Sequence, residues 1–189
     1  MSTQSLLDYA GIHGEQYHRI GRQRRLERVQ LAEGVTIRDQ KPLSTRALSA
    51  CLVGMDPAGW YALLNTYVFF WFDIGRLNRQ RSACRGIPQV VLIVDSARLL
   101  VAYGSCAVVT PINTGNTRRR AARRGEATFV PYAAWLTSRW NSEVTALRHC
   151  PRRANHKPVE LAIPDAVPDI MNFVCETRYL AADEHFAAV

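Results

Sequence analysis

The sequence predicts an α+β fold: a mixed, mostly antiparallel sheet with flanking helices. Three observations carry this reading. Short stretches rich in β-branched and aromatic residues recur at residues 67–72, 89–94, 107–112 and 158–163, as pleated sheets favour. Helix-capping residues (Ser44, Asp56, Asp95) stand immediately before stretches of helical length. The two kinds of segment mix without a regular βαβ beat.

The elements follow in order. Residues 2–9 form a short helix capped by Ser2 or Thr3 and stopped near Gly11. Residues 15–31 read as a basic surface helix carrying Arg19, Arg22, Arg24, Arg25 and Arg28, with too few apolar residues for a buried one. A short strand at 35–40 is broken by Pro42, and Ser44 caps a helix to residue 52. Asp56 with Pro57 starts the next helix, which runs to about Asn65.

The aromatic stretch Tyr67-Val68-Phe69-Phe70-Trp71-Phe72 is then either a core strand covered on both faces or the wall of a cleft in which a planar group stacks. Residues 73–84 give a basic amphipathic helix with Arg76, Arg79 and Arg81 exposed. Residues 89–94 are the clearest buried strand, followed by an Asp95-capped helix and a strand at 107–112. Turn residues at 113–116 precede the densest charge run, Arg118 to Arg124. A short strand at 127–130, one helix at 133–148, a linker at 151–157, a strand at 158–163 and a last strand near 173–178 complete the chain.

The chain has 189 residues, 48% hydrophobic and 21% charged, so one globular domain over residues 1–180 with a frayed tail at 181–189 is expected. No apolar run approaches the roughly 18 residues of a membrane span, and no signal peptide opens the chain, which points to the cytoplasm. The five cysteines lack metal spacing and read as free, mostly buried thiols. A net charge of +8 raises DNA or RNA as partners. Arginine supplies nearly all of that charge, which suits phosphate binding but equally follows from a GC-rich genome.

Nucleotide-binding glycine loops, zinc-protease and serine-hydrolase motifs are absent, and the five histidines are dispersed, so no metal site is expected. What remains is a set of polar residues beside apolar strands: Arg38, Asp39, Asn65, Asn113, Asn116 and Glu160. Glu160, opposite Val159 and Leu161, faces either solvent or the mouth of a cleft.

Several segments together resemble an uncharacterised bacterial family of unknown function: 36–44, 60–71, 111–116, 128–131, 158–161 and 167–170. That family is distantly similar to the DarT-type ADP-ribosyltransferases, which use NAD to modify bases in DNA. The resemblance implies an ADP-ribosyltransferase-like fold with NAD as substrate. Arg38 would grip the pyrophosphate, and Glu160 would be the catalytic carboxylate. Asn65, Phe70 and Trp71 would lie along the cofactor, the nicotinamide resting on Phe70 or Trp71. Arg118, Arg119, Arg120, Arg123 and Arg124 would hold a nucleic-acid backbone, and an antitoxin becomes a partner to look for. Such proteins usually open with a His-Phe-Thr strand that this sequence lacks, so either the start lies upstream or the copy is truncated and inactive. The alternative is a non-catalytic basic domain that binds nucleic acid or another partner.

Overall fold

The computed structural model of the chain describes residues 1–84, 86–117 and 121–187. Two N-terminal helices, α1 (Thr3–Tyr9) and α2 (Gly14–Arg22), lead to a two-stranded ribbon of β1 (Val29–Gln30) and β2 (Thr36–Ile37). The caps act where the sequence put them. Ser2 accepts from the Ser5 amide at the start of α1, and Ser44 from Ala47 at the start of α3 (Thr45–Ser49). Asp56 caps α4 (Pro57–Asn65), with Pro57 at its first turn.

The main sheet holds β3 (Tyr67–Trp71), β5 (Val108–Thr110), β6 (Val130–Pro131) and β7 (Glu160–Pro164), in the order β3-β7-β5-β6. Between β3 and β5 come α5 (Ile74–Ser82), β4 (Gln89–Val94) and α6 (Ser96–Tyr103). Helices α7 (Tyr132–Ser138) and α8 (Asn141–Leu147) precede β7, and β8 (Val174–Leu180) pairs with β4 in a separate ribbon. All pairings between these strands are antiparallel. The mixed α+β expectation is met, though the strands are divided among three sheets.

Alternation along the strands separates two cores. Val108 and Ala162 face one side with Trp60, Leu48 and Phe129, joined by Tyr67 and Phe69. Val109, Leu161 and Ile163 face the other with Leu99, Trp140 and Phe173, joined by Phe70. Trp60 is fully buried in the first core. The side-chain period of two therefore sends Glu160 and Thr110 to the Trp60 side of the sheet.

Several expectations are corrected. The aromatic strand is not covered on both faces. It is an edge strand, half-buried along its length, with Phe72 47% exposed. β4 is not fully buried either: Val90 and Leu92 face solvent, while Val91 between them packs with Leu180 and Phe186 on the opposite face. The long basic helix ends at Arg22, and Arg25 turns inward. Arg81 is also buried, donating to the carbonyls of Ala181 and Glu184. The helix expected at 133–148 is two, parted at Arg139, whose φ of 53° lies in the left-handed region. Residues 126–128 form a turn of 3₁₀ helix rather than a strand.

Cys51 alone of the five cysteines is fully buried, while Cys106, Cys150 and Cys175 are exposed on turns and the outer face of β8. The terminal segment reaches back to pack Phe186 beside Val91 and Leu180, its amide and carbonyl both bonded to the Asn78 side chain. Among the described residues no helix is long and apolar enough to cross a membrane.

Candidate functional site

Strand register assembles the site. Trp71 of β3 is paired with Glu160 of β7, and Glu160 with Thr110 of β5. Side chains at paired positions share a face, so Trp71, Glu160 and Thr110 form one row across three adjacent strands. The row meets a cleft of about 520 Å³ lined also by Arg38, Asn65, Tyr67, Phe69 and the segment 113–116. All six polar residues singled out from the sequence, Arg38, Asp39, Asn65, Asn113, Asn116 and Glu160, border this one space.

Glu160 sits on the floor, 3% exposed, so the cleft-facing alternative holds and the solvent-facing one is wrong. The reason is the strand next door: β5 and the segment after it fold over the carboxyl. Thr114 donates to it twice, from its hydroxyl to Oε2 at 2.9 Å and from its amide at 3.2 Å. The Thr110 hydroxyl lies 2.9 Å from the same Oε2. Burial pushes the Glu160 carboxyl up to about 7 against the pull of these bonds, and Arg124 adds a weaker downward influence.

Arg124 is placed by its backbone. Its amide donates to Cys51 O and its carbonyl accepts from Val53, both at 2.8 Å. The next residue must be glycine, because a Cβ at Gly125 would stand 2.4 Å from the Val53 carbonyl oxygen. So held, the Arg124 guanidinium lies 5.7 Å from the Trp60 ring centre and donates to the carbonyls of Thr114 and Asn116. It is 2% exposed and shapes the segment that covers Glu160. Arg124 is therefore no contact for a nucleic-acid backbone. Arg123 beside it is exposed. Arg118, Arg119 and Arg120 lie outside the described residues.

The opposite rim is set by another buried arginine. Arg25 donates to the carbonyls of Ile20 and Arg38 and to the Asn65 side-chain oxygen. Asn65 in turn donates to Gly21 O at 2.8 Å, so its amide is committed to joining α2 and α4. Burial lowers the Arg25 guanidinium to about 10. The guanidinium groups of Arg38, Arg76 and Arg79 line the cleft without a hydrogen bond or ion pair to the described residues. Cations placed in this way suit an anionic ligand.

Phe70 is the one proposed cofactor contact that the strand turns away. It packs on the second core and borders a different, more apolar groove of about 650 Å³ between β3 and β4. That groove is the larger, but its carboxylates are engaged: Glu176 is paired with Arg178, and Asp73 caps α5 by accepting from the Arg76 amide. Tyr67, Phe69 and Trp71 face the Glu160 cleft instead, by the alternation of the strand. Sequence reasoning missed Thr110, Thr114 and the inward turn of Arg124. The one local signal was Thr110, a hydroxyl ending an otherwise valine strand.

The sequence profile of a family of unknown function (DUF7002) matches residues 1–174, and the chain belongs to that family. No curated protein and no solved structure matches the chain. Membership of an uncharacterised family was expected from the sequence.

Proposed function

We propose that this protein is an NAD-dependent ADP-ribosyltransferase acting on nucleic acid, with Glu160 as its catalytic carboxylate. The observation that carries the reading is Glu160, in one row with Trp71 and Thr110, at the floor of a cleft bordered by Arg38, Arg76 and Arg79, which have no partner among the described residues. In such a reaction the bond between nicotinamide and ribose breaks, and nicotinamide leaves with the bonding pair. Positive charge develops on the ribose, and a nucleophile on the acceptor closes on it. A carboxylate beside that centre stabilises the charge and takes the acceptor's proton. Trp71 and Phe69 offer flat faces to the nicotinamide end, and Arg38 a fork to the pyrophosphate. Arg76 and Arg79 extend the cationic wall along α5. The net charge of +8 favours a polyanionic acceptor, held by its phosphates without sequence choice.

Incubation with NAD and nucleic acid should release nicotinamide, and Glu160→Gln should reduce that release by at least ~10³-fold, on the scale of removing a group that acts in the transition state. Salt-sensitive nucleic-acid binding with no NAD binding in titration calorimetry would instead make the protein a non-catalytic binder.

A further inference from the structure

We infer that the ligand-free protein holds buried Glu160 as the neutral acid, its hydrogen given to Thr110, and that a cationic group entering the cleft displaces the stored proton. The inference rests on the NAD reading for the identity of that cation.

Hydrogen counting carries it. The Thr110 hydroxyl has one hydrogen and two neighbours, Ile112 O at 2.8 Å and Glu160 Oε2 at 2.9 Å. A carbonyl oxygen accepts and never donates, so contact with Ile112 takes the Thr110 hydrogen. The remaining short contact is then satisfied when Oε2 itself carries a hydrogen and gives it to Thr110 Oγ1. The chain of donors runs Glu160 to Thr110 to Ile112 O, with Thr114 donating to the carboxyl from its amide and hydroxyl. A carboxylate breaks this order. Thr110 must swing its hydrogen to Oε2, and Ile112 O loses its donor just where the cleft-lining segment 113–116 begins.

The surroundings explain why the proton is held and what removes it. Glu160 is removed from water, and burial favours the neutral acid. Among the described residues, the charged groups facing it are Arg124 beneath the 113–116 segment and, around the cleft, Arg38, Asp39, Arg76 and Arg79. Arg124 spends its donors on Thr114 O, Asn116 O and Ala122 O, so no direct ion pair forms with Glu160. Asp39 accepts from the Lys41 amide at the rim. A cationic ring on the floor therefore meets Glu160 as its counter-ion. The carboxyl O–H breaks, the proton goes to solvent, and the carboxylate stays beside the cation. The oxidised nicotinamide of NAD is such a ring, whereas the reduced nicotinamide of NADH is neutral.

Infrared titration of the ligand-free chain, with the Glu160→Gln spectrum subtracted, tests the stored proton. A protonated-carboxyl band should be present at about pH 6 and lost by about pH 8. Its absence at the lower pH overturns the inference. Thr110→Val removes a donor to the carboxylate and should move the midpoint upward, while Thr110→Ser should restore it. A midpoint that Val leaves in place removes Thr110 from the chain of donors.

Calorimetry with NAD and with NADH, in two buffers of different protonation heat, tests the displacement. Release of up to about one proton per NAD is expected, with none for NADH and none from Glu160→Gln. NAD binding without proton release overturns the coupling and leaves the NAD site standing. No NAD binding overturns the functional reading and, with it, the displacement, while the infrared titration decides the stored proton by itself.

Discussion

Among the described residues two glutamates are buried, and their partners differ. Glu143 of α8, fully buried, is gripped by Arg152, whose Nε and Nη2 donate to its two oxygens at 2.8 and 2.6 Å. His149 Nε2 stands 3.5 Å away. Glu160 has no such fork; neutral hydroxyls and one amide surround it, and its nearest arginine is turned toward carbonyls. A buried carboxylate with a bidentate cation is a fixed ion pair that ties residue 152 to the helix. A buried carboxyl with neutral donors keeps its proton exchangeable and its charge available to a ligand. One holds the fold together, and the other is the group we propose answers what enters the cleft.

The largest effect should come from breaking the ion pair. Arg152→Ala leaves Glu143 buried without its cation and should cost about 3–5 kcal/mol in urea unfolding, the usual penalty for an orphaned buried charge. A loss near zero would put Glu143 in the same class as Glu160.

The second test is the pH profile of Glu160→Gln. The folded carboxyl titrates at about 7, above its ordinary 4.5. The native state therefore holds a proton that the unfolded chain has released. Its contribution is fully present below pH 4.5 and is lost as pH rises to about 7. Above that, ionised Glu160 costs on the order of 3 kcal/mol, so the Gln variant should gain on the wild type by about that much between acid and about pH 8. A constant difference across the range would mean that Glu160 ionises normally. The smallest effect on stability belongs to the cleft rim. Arg38→Ala should change unfolding stability by no more than about 0.5 kcal/mol, because its guanidinium has no partner among the described residues. The same change should weaken NAD binding by roughly tenfold, the loss of one charge-assisted contact.

The site was legible where chemistry breaks an apolar pattern. A lone glutamate in Val159-Glu160-Leu161-Ala162-Ile163 stands out, as do Arg38 with Asp39 beside a short strand and two asparagines around Gly115. Residues such as these border the cleft because an irregular polar position in a strand or turn is where a fold can leave a group unpaired. Arg124 was not legible. Five of the seven residues from 118 to 124 are arginines, the other two being Ala121 and Ala122, and nothing local marks the inward one. Only Gly125 hints at it, since a close backbone approach is needed there. Phe70 failed for a related reason: in an aromatic run every residue looks alike, and the face each one takes depends on pairing with β7.

The sequence by itself determined the helix starts at Ser2, Ser44, Asp56 and Asp95, the strands at 67–71, 89–94 and 160–164, and the alternation that puts Glu160 opposite Leu161. These are local: a side-chain oxygen reaches an amide within three residues, and a strand has period two. The tertiary structure decided which strand lies at the edge, which arginines go inside, and that Trp71, Glu160 and Thr110 share one row. Those depend on contacts between segments 50 to about 90 residues apart, whose free energy comes from burial and register that no short stretch encodes.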